Sequence, residues 1–111
     1  MQTKREEKIE RMLQKELGEM FLLYAREKSG VIISVSDVKV SPDLSLAKVF
    51  LSIFPNEKAN DVFSIINIDT KTIRYELGKR IRHQLRLVPE LTFLLDGSID
   101  YLEKIDELLK K

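Results

Sequence analysis

The hydrophobic periodicity of this chain changes along its length, and the order of the changes limits the folds it can adopt. Some segments repeat apolar residues every three or four positions, as amphipathic helices do, and others alternate or run together, as strands do. In chain order they are a helix at 3–28, strands at 31–40 and 47–53, helices at 56–66 and 70–87, a strand at 91–95 and a helix at 99–109. A hairpin, two helices and a returning strand imply an α+β fold with a three-stranded sheet and helices on one face. The length of 111 residues predicts a single domain over 1–111.

The two strands at 31–40 and 47–53 carry the signals of a β-hairpin. The parity of the apolar residues switches near Ser36-Asp37, which predicts a β-bulge. Ser41-Pro42-Asp43 predicts a turn, because proline fixes the backbone angle that the first central position of a turn needs.

The helices have apolar faces and recognisable ends. On the first helix we expect the buried face to centre on Ile9, Leu13, Met20 and Tyr24. Asn56 is predicted to N-cap the short helix, and Asp69 the longer one, with its side-chain carboxylate. The longer helix has a buried stripe at four-residue spacing and is predicted to run to about position 87, two residues before a proline that ends it. That stripe consists of Ile73, Leu77, Ile81 and Leu85.

Positive charge is concentrated in one segment of the chain. Residues 71–86 contain six Lys/Arg and one acid, a net charge of +5, whereas the whole chain is only +1. The other residues therefore sum to −4. The six cations are Lys71, Arg74, Lys79, Arg80, Arg82 and Arg86. A local positive field of this kind indicates a polyanionic partner, and nucleic acid is the commonest one.

A helix over 70–87 would align part of this charge. At about 100° per residue, Lys71, Tyr75, Gly78, Arg82 and Arg86 fall on one stripe roughly 20 Å long, away from the buried stripe. Arginine and lysine at such spacing suit contacts to phosphates, while the alternative is an ordinary solvated helix face. Gly78 in the middle of the helix either lets a ligand approach or makes room for another element of the chain.

A second, weaker basic stripe on the first helix is a further candidate for RNA contact. It consists of Lys4, Lys8 and Arg11, followed by Lys15. Five glutamates accompany it, so ordinary surface pairing also explains it.

Several classes of site are not indicated. The chain has no cysteine and one histidine, His83, so a Cys-ligated or multi-histidine metal site is excluded. The glycines are isolated and form no phosphate-binding loop, and no catalytic set of side chains is indicated. No apolar stretch has the length of a signal peptide core or a membrane span. We therefore expect a cytoplasmic, monomeric protein that is not an enzyme, has no cofactor or metal and does not bind membranes.

The element order and several sequence runs resemble a known family. The αββααβ order is that of a type II KH domain, although the Gly-x-x-Gly loop of KH domains is missing. Nearly the whole chain resembles the ribosome-binding factor A family, which consists of bacterial small-subunit assembly factors with this fold. The resemblance is carried by VSDVKVSPDL at 35–44, AKVFLS at 47–52, IRYELGKRIR at 73–82, LVPELTF at 87–93 and DGS at 96–98. Family members usually have Ala-x-Gly between the central helices, where this chain has Asp69-Thr70-Lys71.

The resemblance implies a function in ribosome biogenesis. It implies a non-catalytic factor that docks on the immature 30S ribosomal subunit, contacts its 16S rRNA and assists maturation of the rRNA 5′ end. Two alternatives remain open from the residues. One is a protein–protein adaptor that uses the basic helix at 70–87 against an acidic partner. The other is a small α/β-plait enzyme, which the element order and the missing catalytic set disfavour.

Overall fold

The computed structural model describes residues 3–27 and 30–96. Three helices and three strands occur in the predicted αββααβ order, which confirms the α+β assignment. They are α1 (Lys4–Arg26), β1 (Ile32–Val40), β2 (Leu46–Phe54), α2 (Asn56–Ile68), α3 (Thr70–Ile81) and β3 (Glu90–Leu95). The helix predicted at 99–109 lies outside the described residues. Within the described ranges, no helix combines the length and apolarity needed to cross a bilayer.

The sheet has the strand order β1-β2-β3 and is mixed. β1 and β2 pair antiparallel as the predicted hairpin, and β3 lies parallel to β2. The register shifts between Val35 and Asp37, which confirms the predicted bulge. Because the bulge inserts one residue, Val35 and Val38 both point into the core although their spacing is odd.

The hairpin turn is held by hydrogen bonds to Asp43. The amide of Leu44 donates to the carbonyl of Ser41 at 2.9 Å, which closes the predicted turn. The Asp43 carboxylate accepts hydrogen bonds from the Ser41 hydroxyl at 2.7 Å and from the Ser45 hydroxyl and amide at 2.8 and 3.1 Å. These bonds, with that from Ser41 the largest, lower the pKa of Asp43 from 3.8 to about 2.

The turn therefore contributes a pH-dependent part of the stability. Because the pKa of Asp43 is lower in the folded chain, this contribution is complete above the unfolded pKa and is lost as the pH falls toward about 2. We expect the difference in unfolding free energy between the wild type and Asp43→Asn to shrink as the pH is lowered from about 6 to about 2. Denaturant titrations across this range measure it, and a difference independent of pH would contradict the prediction.

One face of the sheet is covered by the helices. α1 packs on β1 and against α3, and α2 packs on β2. The buried apolar residues of α1 recur every four positions and are Ile9, Leu13, Leu17, Phe21 and Ala25. Ile9 and Leu13 are buried as predicted, whereas Met20 and Tyr24 are only half-buried at the edge of this face.

Two predicted helix boundaries are wrong. α2 begins at Asn56 itself, with Pro55 in the N-cap position and no side-chain cap. α3 ends at Ile81, not near position 87, and the amide of Gln84 donates to the carbonyl of Ile81 at 2.7 Å, a bond of the 3₁₀ type. The last turn tightens there, and the following residues form a loop that leads to β3.

Candidate nucleic-acid interface

A groove between α3 and the loop at 82–89 gathers most of the predicted cations. We call it the basic groove, and its volume is about 640 Å³. Its lining residues are Lys71, Arg74, Tyr75, Gly78, Lys79, Arg82, Arg86, Leu87 and Val88. They include five cations and no acid. The groove thus presents the concentrated positive charge that contact with phosphates requires.

The loop reaches this position because Arg74 holds it. The Arg74 guanidinium donates through Nε to the carbonyl of Pro89 at 3.1 Å and through Nη2 to the carbonyl of Val88 at 2.6 Å. These bonds fix the loop against α3. Arg82 at the end of the helix and Arg86 in the loop are both exposed and line the same groove, although the helix does not continue to 86.

Gly78 has a structural role in this arrangement. A Cβ atom at this position would lie 3.2 Å from Cγ2 of Val88, closer than most side-chain contacts allow. The glycine therefore makes room for the loop, and because it also lines the basic groove, the close approach of a ligand stays a prediction. The glycine costs the helix about 1 kcal/mol relative to alanine.

The basic groove also exposes an aromatic side chain. Tyr75 is 62% exposed, and Nζ of Lys79 lies 4.8 Å from the centroid of its ring. Lys79 also pairs with Glu76 at 3.5 Å on the surface. An exposed ring beside cations can stack on an unpaired base while the cations contact the neighbouring phosphates.

Arg80 lies outside the basic groove. Its guanidinium contacts α1, with Nε 3.0 Å from Glu16 and Nη2 2.7 Å from Glu19. The hydrogen bonds that Arg80 donates to Glu19 and Glu16 raise the pKa of Arg80 above its usual value. This geometry favours a role in joining α1 to α3, and a contact of Arg80 to RNA stays a prediction.

The N-terminal end of α1 approaches the basic groove through Arg5, which is not a member of the weaker basic stripe. Arg5, which sequence reasoning missed, lines a crevice together with Arg74 and Arg86. Arg5 also lines a second crevice beside Lys8, next to the turn that follows α3. Lys4 and Arg11 are exposed on α1 but do not line the basic groove. The one sequence signal for Arg5 was its position beside Lys4, the first cation of the weaker basic stripe.

Asp69 does not cap α3 as the sequence predicted. It occupies the N-cap position, but its side chain makes no capping hydrogen bond. Its carboxylate instead accepts a hydrogen bond from the Tyr24 hydroxyl at 2.9 Å. Burial raises the pKa of Tyr24, and the bond to Asp69 raises it further. The contact ties α1 to the junction between α2 and α3.

Comparison with known proteins agrees with the sequence resemblance. The family model for ribosome-binding factor A matches residues 5–109. The ribosome-binding factor A of Flavobacterium johnsoniae is 46% identical over 111 residues, which cover 98% of this chain and 85% of that protein.

Two structures of the Thermus thermophilus protein share the fold. The crystal structure of ribosome-binding factor A from this organism has a TM-score of 0.65 at 23% identity, over 81% of this chain and 94% of that one. A homology model of that factor, fitted into a cryo-EM map of a 30S complex, has a TM-score of 0.62 at 26% identity. The match covers 76% of this chain and 87% of that one. The chain therefore belongs to the ribosome-binding factor A family.

Proposed function

We propose that this protein binds the 30S ribosomal subunit and that the basic groove is its contact to 16S rRNA. The observation that carries the proposal is the set of five cations, with no acid among them, that line one groove. Relatives named ribosome-binding factor A, and the Thermus thermophilus factor fitted into a 30S complex, support the choice of the subunit as partner.

Some side chains of the basic groove are proposed to contact rRNA, and others hold the groove in shape. Lys71, Arg82 and Arg86 have exposed side chains that can meet phosphates, and Tyr75 can stack on a base. Arg74 holds the loop in place, so its loss would move Arg86. Arg80 is left out of the proposed contact because two carboxylates already engage it. On α1, Arg5 and Lys8 extend the contact, and Lys4 and Arg11 remain predicted members of it.

The proposed action is non-catalytic assistance to ribosome assembly. The protein, a cytoplasmic monomer with one domain over 1–111, would bind the immature subunit by shape and phosphate contacts. It would thereby assist maturation of the 16S rRNA 5′ end. This finer function follows from the family resemblance, which the sequence runs at 35–52 and 73–98 carry.

The proposal predicts how the protein sediments with ribosomes. We expect it with free 30S subunits and scarcely with 70S ribosomes, and we expect binding to weaken strongly with salt. If about four to six cations meet phosphates, log K falls against log salt with a slope of roughly −3 to −5. Sedimentation of the tagged protein at several salt concentrations measures both. Equal occupancy of 70S ribosomes would contradict the proposal, and a slope near zero would favour a protein–protein adaptor.

A further inference from the structure

A second groove lies between α1 and α3. We call it the α1–α3 groove, and its volume is about 400 Å³. Its apolar wall is formed by Met20, Leu23, Tyr24 and Ile73. Leu23 is 54% exposed, so the apolar surface is open to solvent. The volume lies within the range of about 300–1,000 Å³ that binding pockets in proteins occupy.

The α1–α3 groove carries the opposite charge from the basic groove. Its acids are Glu27, Asp69 and Glu76, and its two cations are Lys79 and Arg80. Lys79 pairs with Glu76, and Arg80 pairs with two further acids. These are Glu16 and Glu19. The three acids and two bases that line the groove give it a net charge of −1, and Glu16 and Glu19 engage Arg80, so the groove disfavours phosphate and favours cationic side chains.

A second exposed apolar residue lies next in sequence to this groove. Ile68 is 81% exposed at the end of α2 and directly precedes Asp69, one of the lining residues. Exposed apolar side chains beside a concave apolar surface are typical of protein interaction sites, where a buried anchor sits within a charged rim.

We propose that the α1–α3 groove docks a segment of another protein in which an apolar side chain is flanked by lysine or arginine. The apolar wall would receive the anchor, and Glu27, Asp69 and Glu76 would face the flanking cations. RNA does not fit this groove, because its phosphates would meet the acidic rim. α3 lies between two surfaces: Lys71 and Arg74 line only the basic groove, Thr72, Glu76 and Arg80 line only the α1–α3 groove, and Lys79 lines both.

A labelled peptide tests this proposal without the ribosome. The probe is Lys-Lys-Leu-Phe-Leu-Lys-Lys, and its twins replace all lysines by glutamate or the three central residues by serine. We expect only the first peptide to bind, with saturation below about 1 mM at about 0.15 M salt in fluorescence anisotropy. Equal binding of the glutamate twin or the serine twin, or no saturation by the first peptide, would overturn the proposal.

Variants locate the peptide on the surface. Leu23→Ser with Glu27→Lys should weaken binding at least about tenfold, because it removes apolar contact and reverses one rim charge. Leu22→Ser with Asp61→Lys also replaces a leucine by serine and an acid by lysine, at exposed positions outside the groove, and should leave binding unchanged. Arg82→Glu with Arg86→Glu should leave peptide binding intact as well, so failure of the RNA proposal is distinguishable from failure of this one. A loss in the control equal to that in the groove variant would refute the assignment.

A crosslink then identifies the partner on the subunit. Because the chain has no cysteine, Leu23→Cys and Tyr75→Cys each provide a single site for a photoreactive label. When the Tyr75→Cys variant crosslinks to rRNA, the Leu23→Cys variant should crosslink to a lysine- or arginine-rich segment of a ribosomal protein. An rRNA crosslink from Leu23→Cys, or none, would contradict the proposal.

Discussion

Replacing Arg82 and Arg86 together by glutamate is expected to abolish binding to the 30S subunit while the chain stays folded. Both side chains are exposed and line the basic groove, so each change removes a cation from the proposed contact and adds an anion. Charge-assisted hydrogen bonds contribute about 1.5–3 kcal/mol each, so loss of two corresponds to at least roughly a hundredfold in Kd. Quantitative sedimentation with purified 30S subunits measures the effect.

The stability of this variant should change by less than about 1 kcal/mol. Arg82 is the C-cap of α3, where glutamate interacts less well with the helix dipole, and this is the main cost. Denaturant titration of the free protein gives the value. A variant that binds 30S subunits as well as the wild type would show that the basic groove is only a solvated surface.

A matched control separates local charge from net charge. Lys48→Glu with Lys58→Glu makes the same change, from +1 to −3, at two exposed positions on β2 and α2. We expect this control to retain most of its 30S binding. If both double variants lose binding equally, net charge and not the basic groove governs association.

Leu77→Ala should have the opposite profile. Leu77 is fully buried in the core cluster between the helices and the sheet. Its truncation removes apolar contact and leaves a cavity, which costs about 2–5 kcal/mol of unfolding free energy. The midpoint of denaturant unfolding should fall with an unchanged slope, and 30S binding should fall only by the fraction of unfolded chain.

The control for this change is Leu22→Ala. Leu22 is 58% exposed on α1, so the same chemical change there should cost less than about 0.5 kcal/mol. If the buried and exposed variants unfold at the same denaturant concentration, the assignment of Leu77 to the core is wrong.

Local sequence signals predicted the element order, the bulge and the turn. Each depends on residues that are near one another in the chain, such as the parity switch beside Ser36 and the proline at position 42. The end of α3 escaped prediction because Leu85 continues the four-residue spacing of the buried stripe. In the structure Leu85 packs, half-buried, against the core from the loop after α3 instead of from a helix.

The roles of individual charged side chains could not be predicted, because distant residues decide them. Arg74 and Arg80 look equivalent in the sequence, yet one binds loop carbonyls and the other binds acids of α1. The carboxylate of Asp69 similarly finds Tyr24, 45 positions away. Local sequence propensity predicts that a helix ends or that a stripe is charged, whereas the tertiary fold decides which residue each charged side chain binds.

The parallel pairing of β3 with β2 also has a kinetic consequence. The two strands are joined by residues 55–89, a connection that contains α2, α3 and the loop with Arg86. Non-local pairing of this kind forms late, since the long connection must close before its contacts are gained. Residues 82–89, which form one wall of the basic groove, lead directly into β3, so we expect that wall to be complete only after β3 docks. A nascent or partly folded chain would then have the cations but not the complete groove, and the proposed rRNA contact would require a chain that has completed folding.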